Sequence, residues 1–358
     1  MKVIILAGGT GGHIFPALAV AQGLLERGHE VVWVGAAGGM ETQVVPKYAI
    51  PLETIQIQNL RGKGLWRYLT LPIKLTRAIF QARRVLKKHQ AQIVLGFGGF
   101  VAGPGGVAAK TLGIPLIIHE QNAVAGLTNR YLARIAKIVL TGFPGVLKQF
   151  ESRRMTGNPI RADFLPLRNL PYQVHQPLNV LVVGGSLGAQ IFNETIPEVL
   201  KALQTQKVKI SVWQQTGTKH FGPAKAKFAE YKLDAKVTAF IDDMNAAYTW
   251  ADLIVCRAGA LTVSELAVIG KPAIFVPFPY AVDDHQTQNA READHAGAAI
   301  LLKQTDCTVE VLADMLKSLI QDPSRLNRMA EKMKALGRPN ATQEIVKICE
   351  QFVYPVHG

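Results

Sequence analysis

Apolar residues in this chain come in short unbroken runs rather than in strict alternation. Val3-Ile4-Ile5-Leu6 is the first such run, and Val180-Leu181-Val182-Val183 is its counterpart one domain length later. Continuous apolar strands belong to parallel sheets covered by helices on both faces. Each run empties into glycines: Ala7-Gly8-Gly9-Thr10-Gly11-Gly12-His13 in one case, Gly184-Gly185-Ser186-Leu187-Gly188-Ala189 in the other. A helical pattern follows each turn. After the first it runs through Ala17, Val20, Ala21, Leu24 and Leu25 and stops near Gly28. Strand, glycine turn and helix make the opening unit of a doubly wound sheet. Its recurrence predicts an α/β protein with two tandem Rossmann-like parallel-sheet domains.

Further runs fit that expectation. Val31–Gly35, Ile93–Gly96, Leu116–His119 and Ile138–Leu140 read as strands of the first domain, and Ile210–Trp213, Val237–Phe240, Leu253–Cys256 and Ala273–Val276 as strands of the second. Between Thr156 and Pro177 four prolines and weak periodicity suit a linker. The expected domains are 1–160 and 161–340, and Ala341–Phe352 looks helical after Pro339 and Asn340.

Length and composition narrow the class. A chain of 358 residues, 48% hydrophobic and 18% charged, can bury two cores and is not a disordered chain. Cys256, Cys307 and Cys349 are too scattered for a disulfide framework or a zinc site, which suits a reducing cytoplasm. The apolar stretch Val3–Ala7 is short for a signal peptide, and no run is long enough to span a bilayer. Net charge is +14 and unevenly spread: residues 1–160 hold 19 basic and 6 acidic side chains, residues 161–358 hold 21 and 20. No acid occurs between Glu53 and Glu120, while Arg61 to Lys88 contains nine bases. The first domain therefore meets something anionic: nucleic acid, a membrane surface or an acidic substrate.

Glycine turns after strands commonly serve dinucleotides, but that fingerprint fails here. From Gly9 and Gly11 the third position is Ile14, and the strand ending Trp33-Val34-Gly35 carries no acid for a ribose. From Gly184 the spacing fails again, and Trp213-Gln214-Gln215 lacks an acid too. A nicotinamide or flavin enzyme is disfavoured. What survives is an anion site of bare backbone N–H groups at a helix N-terminus. His13 closes the first loop at the sheet edge where α/β folds place ligands, and imidazole titrates near neutral pH, so His13 is the candidate general base. In Cys256-Arg257-Ala258-Gly259-Ala260-Leu261-Thr262-Val263-Ser264-Glu265 a strand ends, a glycine turn follows and a helix begins. Its donors suit a diphosphate and Glu265 suits paired ribose hydroxyls, although a first-turn acid also complements the helix dipole. Asn122, Gln286 and Gln288 donate and accept at once, as sugar hydroxyls require. The Asp242-Asp243 and Asp283-Asp284 pairs read as caps or solvated loop rather than metal ligands.

The basic stretch has two readings. A helix beginning near Pro72 places Leu75, Ile79, Ala82 and Leu86 on one stripe and Lys74, Arg77, Arg84 and Lys88 nearly opposite, as a solvated surface helix would. Before it, Trp66, Tyr68, Leu69 and Leu71 lie among cations, like an interfacial membrane anchor. No nucleic-acid-binding module is recognisable.

Taken together, GGTGGH at 8–13, LRGKG at 60–64, GFGGFVAGPGG at 96–106, HEQN at 119–122, GNPIR at 157–161, GGSLGAQ at 184–190, FIDDM at 240–244 and CRAGALTVSE at 256–265 stand in the order of one family and cover nearly the whole chain. The chain resembles the bacterial peptidoglycan N-acetylglucosaminyltransferases, which move N-acetylglucosamine from UDP to lipid I, an undecaprenyl-diphosphate-muramyl-pentapeptide, giving lipid II. The resemblance implies the glycosyltransferase-B fold, inversion at the anomeric carbon, no cofactor and no tightly bound metal. It implies a final helix, within 341–358, that crosses back onto the first domain. It implies UDP-N-acetylglucosamine contacts at Thr10, Gly11, Gly12, Asn122, Arg161, Ser186, Ile241, Ala260, Leu261, Thr262, Val263, Ser264, Glu265 and Gln286, with backbone at Ile241 reading uracil. The segment before Gln286, 279–284, varies in length in that family. Implied partners are UDP-N-acetylglucosamine, lipid I and the anionic cytoplasmic membrane surface, with no nucleic acid, at a peripheral location on the inner membrane. Alternatives are a nucleotide-binding subunit without chemistry and a sister transferase acting on another lipid or a small aglycone.

Overall fold

A computed structural model describes residues 1–57 and 65–352, with side chains of the basic helix described from Pro72 onward. The chain divides into two compact units, Met1–Ala162 with Arg338 onward, and Asp163–Gly337.

The first unit is built on seven parallel strands: β1 (Lys2–Ala7), β2 (Glu30–Ala36), β3 (Leu52–Ile55), β4 (Ile93–Gly98), β5 (Leu116–Glu120), β6 (Ile138–Thr141) and β7 (Arg153–Met155). Their order is β3-β2-β1-β4-β5-β6-β7, so the winding reverses between β1 and β4. Val3 pairs with Val31 on one side and Ile93 on the other, and Val3 to Ala7 are all fully buried. The second unit has six parallel strands: β8 (Leu178–Val183), β9 (Ile210–Gln215), β10 (Ala235–Thr238), β11 (Leu253–Cys256), β12 (Ala273–Phe275) and β13 (Ala299–Leu301). The order β10-β9-β8-β11-β12-β13 reverses between β8 and β11. Crevices at such reversals, beyond the carboxyl ends of the strands, are where open α/β sheets bind ligands. Both glycine loops stand there.

The helix Ala341–Glu350 belongs to the first unit. It buries Ile345, Val346 and Cys349 in the same cluster as Ile14, Ala17 and Leu24 of the helix Gly11–Glu26. The two helices meet closely at Gly23, where an added Cβ would stand 3.1 Å from Thr342 Cγ2. Glu350 pairs with Arg27 at 3.3 Å and His29 at 2.9 Å.

Several expectations need correction. β10 lies two residues earlier than Val237–Phe240, because Phe240 is exposed in the loop beyond it. The strands β3 and β7 carry too few apolar residues to announce themselves, and β13, though apolar, is only three residues long. The basic helix runs Leu65–Lys88, with Pro72 inside rather than at its start. Its buried face is Ala78, Ala82, Val85 and Leu86, so small residues face the unit. Leu75 is exposed instead, together with Ile73 and Phe80, which are 73% and 61% accessible. The side chains of Trp66, Tyr68, Leu69 and Leu71, and the LRGKG motif, lie outside the described residues.

Candidate active site

In the first unit the loop Gly8–His13 joins β1 to the helix Gly11–Glu26, whose N-cap, Thr10, makes no side-chain capping bond. Amides at such an end are left for another partner. A fully buried carboxylate props the loop from behind: Glu41 accepts from Gly9 N–H at 3.1 Å and Ala36 N–H at 2.7 Å. Glycine at positions 8, 35 and 39 makes room, since a Cβ at any of them would collide with the Glu41 side chain. His13, at the far end of the loop, is half-buried, and its Nδ1 lies 3.0 Å from Gln121 Oε1. Its ring packs on Gly98 at the end of β4, a residue at φ +103° where a Cβ would stand 2.9 Å from His13 Cε1.

The HEQN segment closes β5 and is held almost entirely by its own side chains. Glu120, buried, accepts from Asn122 N–H at 3.0 Å, Gly126 N–H at 3.0 Å and Asn129 Nδ2 at 2.9 Å. Asn122 also donates from Nδ2 to Glu120 at 3.3 Å. With its oxygens so committed, Glu120 shapes the loop and is poorly placed to take a substrate proton. His119 is buried, stacked on Phe97 with ring centres 5.6 Å apart, and burial pushes its titration down to about 4. Arg161 is exposed, shortly after Gly157.

The second unit carries a cavity of about 710 Å³ at its sheet reversal, within the range of small-molecule sites. The loop Gly184–Ala189 and the end of β11 line it, and Ser186, Thr262 and Gln286 face it together. The helix Ala260–Ile269 starts there from Gly259 with no side-chain cap, as does Gln190–Thr205 from Ala189. By contrast Asp243 caps its own helix, accepting from Ala246 N–H at 3.0 Å, which is the capping role expected of it. Glycine is mandatory in the cavity wall: Gly188 sits at φ +76° and a Cβ would overlap the Thr216 carbonyl. Gln286 Oε1 accepts from Phe278 N–H at 2.9 Å.

Along the helix Ala260–Ile269, Ala260 and Val263 turn their side chains inward, leaving backbone as their possible contribution, while Leu261, Ser264 and Glu265 are half-buried. Glu265 accepts from Tyr248 Oη at 3.0 Å, and Tyr248 stands on the helix Met244–Trp250 just after the loop holding buried Ile241. So Tyr248 ties the Glu265 carboxylate to the segment that follows Ile241. Among the described residues no group of three or more His, Cys, Asp or Glu side chains is arranged to hold a metal.

Sequence reasoning missed three residues. Glu41 is one of six acids in the first domain, and only its glycine neighbours at 38 and 39 hinted at a cage. Tyr248 gave no signal. Arg257, inside a quoted motif, lines the second cavity: it donates to the carbonyls of Val276 and Pro277 at 3.0 Å and to Gln304 Oε1 at 2.6 Å. Its guanidinium lies 5.4 Å from the rings of both Phe192 and Phe278, and burial lowers its pKa from the ordinary arginine value.

Two parallel-sheet units, each with a glycine loop at its reversal point and one with a phosphate-friendly cavity, define a two-domain glycosyltransferase of the B type. Residues 3–141 match the glycosyltransferase family 28 N-terminal domain and residues 179–345 match its C-terminal domain. The chain is 50% identical over 352 residues, 98% of each chain, to the UDP-N-acetylglucosamine--N-acetylmuramyl-(pentapeptide) pyrophosphoryl-undecaprenol N-acetylglucosamine transferase of Alkalilimnicola ehrlichii, and 47% identical, again over 98% of each, to that of Shewanella amazonensis. A crystal structure of Acinetobacter baumannii MurG superposes with a TM-score of 0.84 at 42% identity, covering 98% of this chain and 99% of that one. The chain therefore belongs to glycosyltransferase family 28, among its UDP-N-acetylglucosamine-dependent transferases.

Proposed function

We propose that this enzyme moves N-acetylglucosamine from UDP-N-acetylglucosamine to the 4-hydroxyl of the muramyl sugar of undecaprenyl-diphosphate-muramyl-pentapeptide, giving lipid II. Its relatives' names specify that donor and acceptor. The observation that carries the reading is the duplicated loop: one chain presents two uncapped helix N-termini behind glycine loops, each at a sheet reversal.

The second unit takes the donor. Amides of the helices after Gly259 and Ala189 receive the diphosphate, Glu265 the ribose hydroxyls, the backbone at Ile241 the uracil, and Ser186, Thr262 and Gln286 the rest. The first unit takes the acceptor's diphosphate on its glycine loop and contributes Thr10, Gly11, Gly12, Asn122 and Arg161 to the sugar-nucleotide contacts. His13 removes the proton of the attacking hydroxyl. The oxygen–anomeric-carbon bond forms as the bond to UDP breaks, a single displacement that inverts the centre. UDP leaves with about one additional negative charge, which helix N-termini and the Arg257 guanidinium offset in place.

The enzyme works as a peripheral protein on the anionic cytoplasmic face of the inner membrane. No helix among the described residues is long and apolar enough to cross a membrane. In support, the exposed side of the helix Leu65–Lys88 presents Ile73 and Phe80 among exposed Lys74, Arg77 and Arg84, a mixture suited to anionic headgroups rather than to nucleic acid.

The direct test is incubation of the purified protein with radiolabelled UDP-N-acetylglucosamine and a lipid I analogue, with a diacylglycerol and a small aglycone as rival acceptors. Label appearing on the muramyl acceptor is the expected result. Transfer to a rival acceptor alone, or release of UDP without transfer, overturns it.

A further inference from the structure

His13, Gln121 and His119 form a hydrogen-bonded file within the first unit whose direction can be read from one end. His119 Nε2 lies 3.0 Å from the Gly157 carbonyl oxygen. A carbonyl only accepts, so Nε2 bears the hydrogen. Burial keeps the ring neutral, which leaves Nδ1 with its lone pair.

The Gln121 amide is next. One end of it lies 3.1 Å from His119 Nδ1 and also 3.1 Å from the His119 carbonyl oxygen. Both partners are acceptors, so that end is the NH₂, and its two hydrogens meet two acceptors. Turning the amide over would lose both bonds and set an oxygen against two lone pairs. The residue is also pinned by its own carbonyl, which accepts from Asn158 Nδ2 at 3.0 Å. The other end of the amide is therefore oxygen, and it faces His13 Nδ1 at 3.0 Å. An amide oxygen only accepts, so His13 Nδ1 is the donor.

We infer that Gln121, itself oriented by His119, is a positioning residue that fixes His13 in the tautomer with the proton on Nδ1 and the lone pair on Nε2. Gly98 adds to this by holding the ring plane, since any side chain there would push the imidazole off its partner. Resting on the reading of His13 as general base, the inference specifies the accepting atom: Nε2 takes the acceptor hydroxyl's proton while Nδ1–H stays bonded to Gln121. A histidine held by a residue that cannot keep the correct tautomer is a poor base even when its place is unchanged. The motif containing Gln121 was visible in the sequence; its direction of hydrogen bonding was not.

The experiment is NMR of the full chain labelled with ¹⁵N at histidine rings, with His13 assigned by its loss in His13→Gln. At a pH where the ring is neutral, wild type should show a protonated Nδ1 and an unprotonated Nε2. Gln121→Leu should shift the pattern toward Nε2–H. Turnover of Gln121→Leu should fall by about tenfold or more with KM for UDP-N-acetylglucosamine within about twofold. A wild-type-like thermal melt by circular dichroism confirms that the variant is folded. A wild-type His13 carrying its proton on Nε2 overturns the inference with no variant needed, as does a ring pattern that Gln121→Leu leaves unmoved. If the tautomer shifts while turnover does not, the positioning stands and it is the base role of His13 that fails.

Discussion

The loop Gly8–His13 leans on buried carboxylates and an imidazole, whereas its counterpart Gly184–Ala189 leans on backbone and neutral amides. Behind the first stand the buried carboxylates Glu41 and Glu120, the imidazole of His119 and the amides of Gln121 and Asn129. Behind the second, Gly188 and Gly217 lie against the carbonyls of Thr216 and Leu187, and Gln215 Oε1 accepts from Gly184 N–H at 3.2 Å. The difference matches the two tasks. Holding an anion asks only for donors in a fixed curve, which glycine backbone and a helix end supply. Moving a proton asks for one ring nitrogen at one place in one protonation state. Only directional side-chain bonds specify that, and they stabilise only when every member is satisfied.

The strongest way to break this comparison is to remove the ring that the first loop exists to place. His13→Ala should lower kcat by about 10²–10⁴-fold, the usual cost of losing a general base, while donor affinity stays within about twofold. Isothermal titration with UDP and steady-state turnover measure the two halves. A near-normal kcat would demote the whole polar scaffold to loop support.

Next in size is the acid sensitivity that the scaffold builds into the first unit. His119 is held near 4, below the ordinary histidine value of about 6.5, so as pH falls the unfolded chain takes up the proton first. Stability is therefore present above about 6.5 and declines as pH drops toward 4, by roughly 3 kcal/mol from this group alone. His119→Gln removes the titration, so urea unfolding should show the wild-type advantage over the variant shrinking between pH 7.5 and pH 4.5. A gap of constant size would mean that His119 is not a neutral buried ring.

These features separate what was legible in the sequence from what was not. The doubled run of Val3–Leu6 and Val180–Val183 with their glycines disclosed both sheets, because continuous burial and positive-φ turns restrict residue types strongly. The short strands β3, β7 and β13 escaped because a few half-buried residues at a sheet edge obey no such restriction. For the basic helix, periodicity found most of the inward stripe, since Ala82 and Leu86 are buried and Ile79 is half-buried, but it included Leu75, which is exposed, and passed over Ala78, which packs inward. Residue size, not hydropathy alone, decides which face fits a neighbouring layer. Within the site, the loop residues Thr10 to His13 announced themselves through glycine spacing. Glu41, Tyr248 and Arg257 act through partners distant in sequence, a relation that one sequence does not encode locally.

The second unit offers the complementary test. Glu265→Ala should weaken UDP binding by about 1.5–3 kcal/mol, the scale of hydrogen bonds to a charged group, and leave proton chemistry at His13 untouched. Tyr248→Phe should do less, because it frees Glu265 from a bond that orients it at 3.0 Å without removing the acceptor. Calorimetry with UDP orders the two variants. Equal affinity in wild type and Glu265→Ala would sink the ribose role and leave Glu265 as a partner of Tyr248 alone, since it stands in the second turn of its helix, beyond reach of the helix dipole.

The smallest effect concerns the charge that sets the two units apart. Residues 1–160 carry a large excess of bases and residues 161–358 almost none, and the exposed helix face of the first unit mixes that charge with apolar side chains. Each cation near an anionic bilayer contributes about 1 kcal/mol, an amount that salt screens. Arg77→Ala should then lower partitioning onto anionic vesicles by roughly fivefold at low salt and by less at high salt. Phe80→Ser should lower it by a similar factor at both, because apolar burial does not depend on screening. The pairing of the two variants is what makes the measurement decisive: one effect must fade with salt and the other must persist. If both fade, only charge is at work and the apolar residues at 73 and 80 serve no membrane. If neither variant changes partitioning, or if salt-sensitive binding to duplex DNA exceeds that to vesicles, the helix Leu65–Lys88 is not the membrane face. The basic excess of the first unit would then belong to its acceptor's diphosphate or to another anion.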